Sequence, residues 1–260
     1  MLIDGLVIAG PNLFAPAVGL QAVLTEAAAN GVDAVVVAPG RPHDYALPPA
    51  NERLAAESQS LDNVTRLGRV DPLQGAQAVA EARRCLDDLH CAGLFLHPGE
   101  ESFGLAAATD VVREAASRAA PVIVAAGVYG LSEPLQFLDL ARNVPDAVIL
   151  MTSGGQINIS GLSMIDAWAA LTRAPNLRVM SNGEYRQDFL ERLARDLGPE
   201  RLVFGSFAPY HEQGFEVARI RSARLDREER RLVEGGNAQE LFSIPQIEAS
   251  SPGPGGVGRQ

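Results

Sequence analysis

The 260-residue sequence has no lysine; all 22 of its cationic side chains are arginine. That absence excludes chemistry that needs an amine: a Schiff base, a P-loop contact to a nucleotide phosphate, or a carbamylated ligand bridging two metals. Arginine takes over none of these roles, because its guanidinium stays protonated. Cysteine is nearly absent too. Cys85 and Cys91 lie six apart, on a predicted helix and its exit turn. This is off the three-to-four spacing that brings helical side chains together, and no Cys/His pair beside them completes a zinc pattern. Two buried, reduced thiols that do not meet are expected. Long apolar runs are missing as well: none approaches the roughly 18 residues of a membrane span, and the start MLIDGLVIAG has no basic segment. No membrane partner and a cytoplasmic location are expected.

Cations are outnumbered, leaving a net charge of -10 and a pI near 4.9. Nucleic acid recognition needs clustered positive charge, so it is not expected, and the acidic excess favours solubility. The glycine pattern of a dinucleotide fold does not follow the first predicted strand, and no G-x-S-x-G marks a serine nucleophile.

What is present is regular alternation. Short apolar, β-branched runs recur at Leu2–Ala9, Ala34–Ala38, Thr65–Val70, Gly93–Leu96, Val122–Ala125, Ala147–Met151, Leu177–Ser181 and Leu202–Phe204. Helical patterns lie between and after them, at Val18–Ala29, Asn51–Ser58, Gly75–Leu89, Ala106–Ala119, Pro134–Asn143, Met164–Thr172, Gln187–Leu197 and through Phe215–Phe242. Eight strand–helix pairs in a chain of this length, 47% hydrophobic, predict an α/β fold closed as a (β/α)8 TIM barrel. In the third helix Ala76, Val79, Ala80, Arg83, Cys85 and Leu86 are expected to share the small face that packs on the barrel. The proline-bearing stretch Pro39–Pro49 reads as an irregular loop at the C-terminal ends of the strands. One domain is expected over residues 1–245, followed by a disordered Gly/Pro-rich tail, 246–260.

The segments IDGLVIAG, RVDP, GLFLHPGEESF, PVIVAAG, VPDAVILMTSGG, APNLRV, DLGPERLVFGSFAP and EGGNAQELF occur in this order from Ile3 to Phe242. Together they resemble the amidohydrolase-related, metal-dependent TIM-barrel hydrolases and decarboxylases. The resemblance implies a His-x-His pair ending the first strand, a metal-binding His after the fifth, a proton-transferring His after the sixth and an Asp after the eighth. At those positions this chain has Leu6 and Ile8, Ala125, Thr152, and Phe207. Catalytic zinc needs about three protein ligands, and Leu, Ile, Ala and Phe offer no lone pair, while a lone Thr hydroxyl is a poor donor. A metal-free barrel mouth, packed or lined by apolar surface, is therefore expected, with no cofactor.

Remaining polar candidates gather at predicted strand ends. His97, Glu100 and Glu101 share the loop after the fourth strand, where barrel active sites form. Tyr210 and His211 follow the eighth strand and are placed for ligand contact. His43 and His90 read as surface residues. Gly154 and Gly155 read as a tight turn rather than an anion nest, Asp188 as a helix-start carboxylate, and Ser153, Ser206 and Asp110 as unrelated to one another. Three functions stay open. The first is a catalytically inactive amidohydrolase-like subunit in a homo- or hetero-oligomer, with an active paralogue as the implied partner. The second is a small-molecule binding or sensor protein, and the third a hydrolase or decarboxylase with a relocated, metal-free site around His97.

Overall fold

The computed structural model describes residues 1–155, 161–184 and 186–245. The tail expected to be disordered, 246–260, lies outside them. Eight parallel strands form one sheet in sequential order: β1 (Ile3–Ala9), β2 (Ala34–Pro39), β3 (Val64–Arg69), β4 (Gly93–Leu96), β5 (Val122–Val124), β6 (Ile149–Met151), β7 (Leu177–Met180) and β8 (Leu202–Val203). The sheet closes on itself. Gly5 N donates to the Phe204 carbonyl at 3.0 Å, Phe207 N to Leu6 O at 2.8 Å and Ile8 N to Ala208 O at 2.7 Å. The predicted (β/α)8 barrel is thus the observed one.

Most strand residues are buried on both faces, the start of β3 and Arg178 of β7 being half-buried, which is why most strands read as apolar runs. One parity fills the barrel: Ile3, Leu6, Ile8, Val36, Leu67, Phe95, Ile123, Leu150, Met180 and Val203 belong to a single interior cluster. The other parity, including Val7, Val35, Leu94, Val122 and Ile149, packs with the helices. Those helices are α1 (Leu20–Ala29), α2 (Leu47–Ser58), α3 (Ala76–Asp87), the single turn α4 (Pro98–Glu101), α5 (Thr109–Ala116), α6 (Pro134–Asn143), α7 (Gly161–Arg173) and α8 (Gln187–Leu197), followed by α9 (Gln213–Ser222), α10 (Arg227–Arg231) and α11 (Asn237–Leu241).

Several expectations change. The loop after β2 is shorter than Pro39–Pro49, because Pro48 and Pro49 sit in the first turn of α2, where no backbone N–H is needed. The face of α3 turned to the barrel is Ala78, Ala82 and Cys85, whereas Ala76, Ala80 and Arg83 are exposed. Gly68 of β3 explains the choice: a Cβ there would lie 2.5 Å from Cys85 Cβ, so strand and helix approach at a glycine. The C-terminal helical region Phe215–Phe242 resolves into α9 and, after residues 223–226, an unbroken run in which a π-helical turn at Leu232–Gly236 joins α10 to α11.

The cysteines also depart from expectation. Both are free and buried, but they meet. Asp88 and Leu89 both donate backbone N–H groups to Arg84 O, His90 takes a left-handed φ of 51°, and Cys91 N reaches Cys85 O at 2.9 Å. This fold-back at the end of α3 brings Cys91 onto the Cys85 thiol; that contact, with burial, pushes the thiol pKa far up.

Asp4 fastens the start of the barrel. The register of β1 on β2 shifts between Asp4 and Val7, and a Cβ on the intervening Gly5 would lie 2.7 Å from Phe204 O. The bulge turns the Asp4 carboxylate toward β8 and α9. There it accepts from Ser206 N at 2.7 Å, Gln213 Nε2 at 2.8 Å and Leu6 N at 3.3 Å. Complete burial raises its pKa to about 6, against the lowering effect of these hydrogen bonds.

Candidate active site at the barrel mouth

Strand alternation, continued past the strand ends, decides what reaches the barrel axis. Arg69 lies two residues beyond Leu67 and His97 two beyond Phe95, so both point inward at the C-terminal end. Arg69 is fully buried, and its guanidinium organises the site. Nη2 donates to Glu100 Oε2 and, at 2.7 Å, to Glu101 Oε1; Nε reaches Glu101 Oε1 at 3.2 Å and Nη1 reaches Pro39 O at 3.3 Å. Arg41, from the loop after β2, adds a contact to Glu101 Oε1 at 2.5 Å. Tyr210 donates its hydroxyl proton to Glu100 Oε1, and Asn12 Nδ2 donates to Tyr210 Oη at 3.1 Å. Two cations and two carboxylates thus form a buried, formally neutral chain.

Burial works against the Arg69 charge, but Glu101 and Glu100 outweigh it and hold the pKa above the usual guanidinium value. Burial likewise pulls Glu100 upward, and Arg69, His97 and Tyr210 together hold it below the ordinary carboxylate range. His97 goes the other way. Burial lowers its pKa to about 4, and the charges of Arg69 and Arg41 add to the effect against Glu100. At neutral pH the imidazole is uncharged. Its Nδ1 accepts the Glu100 N–H at 3.2 Å, which leaves the proton on Nε2, 3.6 Å from Glu100 Oε1. Burial and the Glu100 contact raise the Tyr210 pKa.

Aromatic rings cover this chain. Phe207 stacks on Tyr210 with centroids 4.7 Å apart, meets Phe95 edge-on at 5.8 Å, and lies 6.0 Å from His97. Phe207 takes a left-handed φ of 60°, a conformation that disfavours a large side chain. Here the surrounding rings hold it.

The five positions assigned by the resemblance all come to the barrel mouth. Leu6, Ile8, Ala125 and Phe207 belong to the interior apolar cluster. Thr152 is buried, and its Oγ1 already accepts from Ala126 N at 2.9 Å. This donor set does not fit a divalent metal, since four of the side chains carry no lone pair and the fifth is engaged. Among the described residues no group of three or more His, Cys, Asp or Glu is placed to hold one.

His97, Glu100, Glu101 and Tyr210 are therefore brought together. His211 joins this group only through Phe207, whose ring centroid lies 6.2 Å away; a Cβ on Gly183 would come within 2.9 Å of its Nε2, and burial lowers its pKa. Gly155 N closes onto Thr152 O at 2.8 Å, so that N–H is spent in the turn. Ser206 serves the Asp4 contact and the loop after β8, Ser153 pairs with Asn182, and Asp110 pairs with Arg113 on the surface. Arg69, Arg41 and Asn12 were missed from sequence. The available signal for Arg69 was an arginine two residues beyond an inward leucine, at the end of an apolar strand.

The chain matches the Amidohydrolase family over residues 10–244, a range that starts just after β1, so the assignment of Leu6 and Ile8 rests on the place of β1 in the barrel. Similar solved structures include 5-carboxyvanillate decarboxylase from Sphingomonas paucimobilis, at 18% identity, covering 85% of this chain and 82% of that one, with TM-score 0.69. A 2,6-dihydroxybenzoate decarboxylase from Rhizobium is 14% identical, covers 94% and 99%, and has TM-score 0.72. An uncharacterised TIM-barrel protein from Bordetella bronchiseptica is 16% identical, covers 94% and 98%, and has TM-score 0.74. No curated protein sequence matches the chain. At these identities the structural likeness speaks for the fold alone. The match over most of the chain establishes that it belongs to the Amidohydrolase family.

Proposed function

We propose that this protein is a non-catalytic amidohydrolase-family barrel that serves as a subunit. One observation carries the reading: Leu6, Ile8, Ala125 and Phe207 fill the barrel axis at the mouth with apolar volume, where the family resemblance calls for metal ligands. Filled volume spares the cost of a cavity, so these side chains support the frame while leaving no lone pair for a Lewis acid. The charged groups nearby are committed to each other. Glu100 is engaged by Arg69 and Tyr210, which leaves it poorly disposed to take a substrate proton. Elemental analysis of the purified chain after dialysis against zinc and manganese is expected to find far less than one equivalent of either. Stoichiometric retention of a metal, with turnover of a hydroxybenzoate carboxylate, would overturn the proposal.

A second reading has one observation in its favour: His97, Glu100 and Tyr210 converge, and the neutral imidazole keeps its Nε2 proton toward Glu100. Such a trio supports metal-free proton transfer. It requires turnover on a panel of aromatic acids and acyl compounds that His97→Ala abolishes while the fold is retained.

A further inference from the structure

The exposed apolar surface is unevenly distributed. Among the described residues eight large hydrophobic side chains are strongly exposed, and all but Met1 lie at the C-terminal ends of the strands. Phe14, Tyr45, Leu73, Tyr129, Ile165 and Phe215, 54% to 84% exposed, come from the connections after β1, β2, β3 and β5 and from the first five residues of α7 and α9. They ring a mouth whose centre is already packed. Single exposed apolar residues need no explanation, but a set confined to one end of a barrel marks a contact surface.

Unpaired charge on the same face is mostly negative, the exception being Arg53 of α2, which is exposed and lines a crevice with Gly10, Pro11 and Gly40. Among the described residues of these connections and of the first five positions of the helices that follow, each arginine is paired: Arg41 with Glu101, Arg113 with Asp110 and Arg186 with Asp188. Asp44, Asp71, Glu133 and Glu212 carry no such pairing. Beside the ring lies a cleft of about 250 Å³ lined by Tyr45, Leu47, Val70, Asp71 and Glu81 among others. Its apolar wall suits an aliphatic stem. Glu81 is matched by Arg84 at 2.8 Å, whereas Asp71 accepts only from Leu73 N and Gln74 Nε2 and keeps lone pairs free.

We propose that the strand C-terminal face is the docking surface for a basic protein partner that presents apolar residues together with lysine or arginine, one of which enters the Tyr45–Asp71 cleft. A second copy of this chain is the poorer occupant, because two such faces would oppose unpaired carboxylates in a protein already at -10. The proposal rests on the subunit reading for its purpose, and it names the chemistry of the partner.

The test titrates the full chain with a short helical peptide of alternating leucine and lysine blocks, beside a leucine/glutamate counterpart, polylysine and phosphatidylcholine vesicles. Fluorescence anisotropy and sedimentation report binding and self-association. The leucine/lysine peptide is expected to bind, more weakly as salt rises. Affinity is expected to fall about tenfold in the triple variant Phe14→Ser, Tyr129→Ser, Phe215→Ser and to a lesser extent in Asp71→Asn, each with unchanged melting temperature. The proposal fails if the triple variant binds as the parent does, if polylysine binds as tightly, or if the leucine/glutamate peptide or the vesicles are preferred. It also fails if the parent is a dimer that the triple variant dissociates. Metal content enters none of these readouts, so failure here and failure of the subunit reading are separate results.

Discussion

Arg69 and Glu101 meet at 2.7 Å with neither side chain exposed to solvent. A pair so placed is costly to break, because each partner then keeps only one other counter-charge, Glu101 from Arg41 and Arg69 from Glu100, with no water to make up the loss. Arg69→Met takes the shared cation from Glu100 and Glu101, leaving Arg41 alone to face Glu101, and should cost about 3–5 kcal/mol in urea unfolding. Adding Glu101→Gln to it should recover part of that loss. A single variant as stable as the parent would show that the network is dispensable.

Phe207 fills the mouth from a left-handed backbone position. Phe207→Ala removes a ring in contact with Phe95 and Tyr210 and should destabilise the barrel by about 3–5 kcal/mol, the usual cost of a core phenylalanine. Calorimetry or denaturant titration checks this. A cost below about 1 kcal/mol would mean that the mouth is an open pocket rather than packed core.

Asp4 predicts a pH dependence of definite sign. Its pKa is about 6 in the fold against 3.8 for the unperturbed carboxyl, so the folded state binds the proton more tightly. The associated stability is fully present below the unperturbed value and is lost as pH rises through 6. By linkage the difference is of the order of 3 kcal/mol. Asp4→Asn should remove this slope, read as the difference between parent and variant stability from pH 4 to 7. A constant difference across that window would exclude the assignment.

His97 predicts the opposite slope. With a folded pKa of about 4 against 6.5 unfolded, its contribution is present above 6.5 and is lost as pH falls toward 4. The NMR titration of its ring protons should show an uncharged imidazole at pH 6. A midpoint near 6.5 would mean that the ring is solvated.

Gly68 tests the strand–helix contact. Gly68→Ala would place a methyl against Cys85, at 2.5 Å from its Cβ, and should cost about 1–3 kcal/mol by overpacking. The double variant with Cys85→Ala leaves the Cys85 Cβ in place and should recover only a minor part.

Much of the fold was legible because most of its strand residues are buried on both faces. The helices Pro134–Asn143 and Gln187–Leu197 have the bounds read from the sequence, the first opened by Pro134 in its first turn and the second closed by Gly198. Boundaries failed where proline fitted a first turn, as at Pro48, and where a left-handed residue folded the chain back, as at His90. In the site, His97, Glu100, Glu101 and Tyr210 were visible as polar residues at strand ends. Arg69 and Arg41 were not, since only the closed barrel brings residues from β2, β3 and β4 to one axis.

By itself, then, the sequence determined the alternation of strand and helix, because hydrophobic period and turn residues are local properties. It also determined which side chains have no lone pair to offer at Leu6, Ile8, Ala125 and Phe207. Tertiary structure alone decided that Arg69 lies between Glu100 and Glu101, that Cys91 returns to Cys85, and that among the described residues the large exposed apolar side chains other than Met1 share one end of the barrel. Each of these depends on segments far apart in the chain, or on a backbone reversal, whose proximity exists only once the barrel has closed.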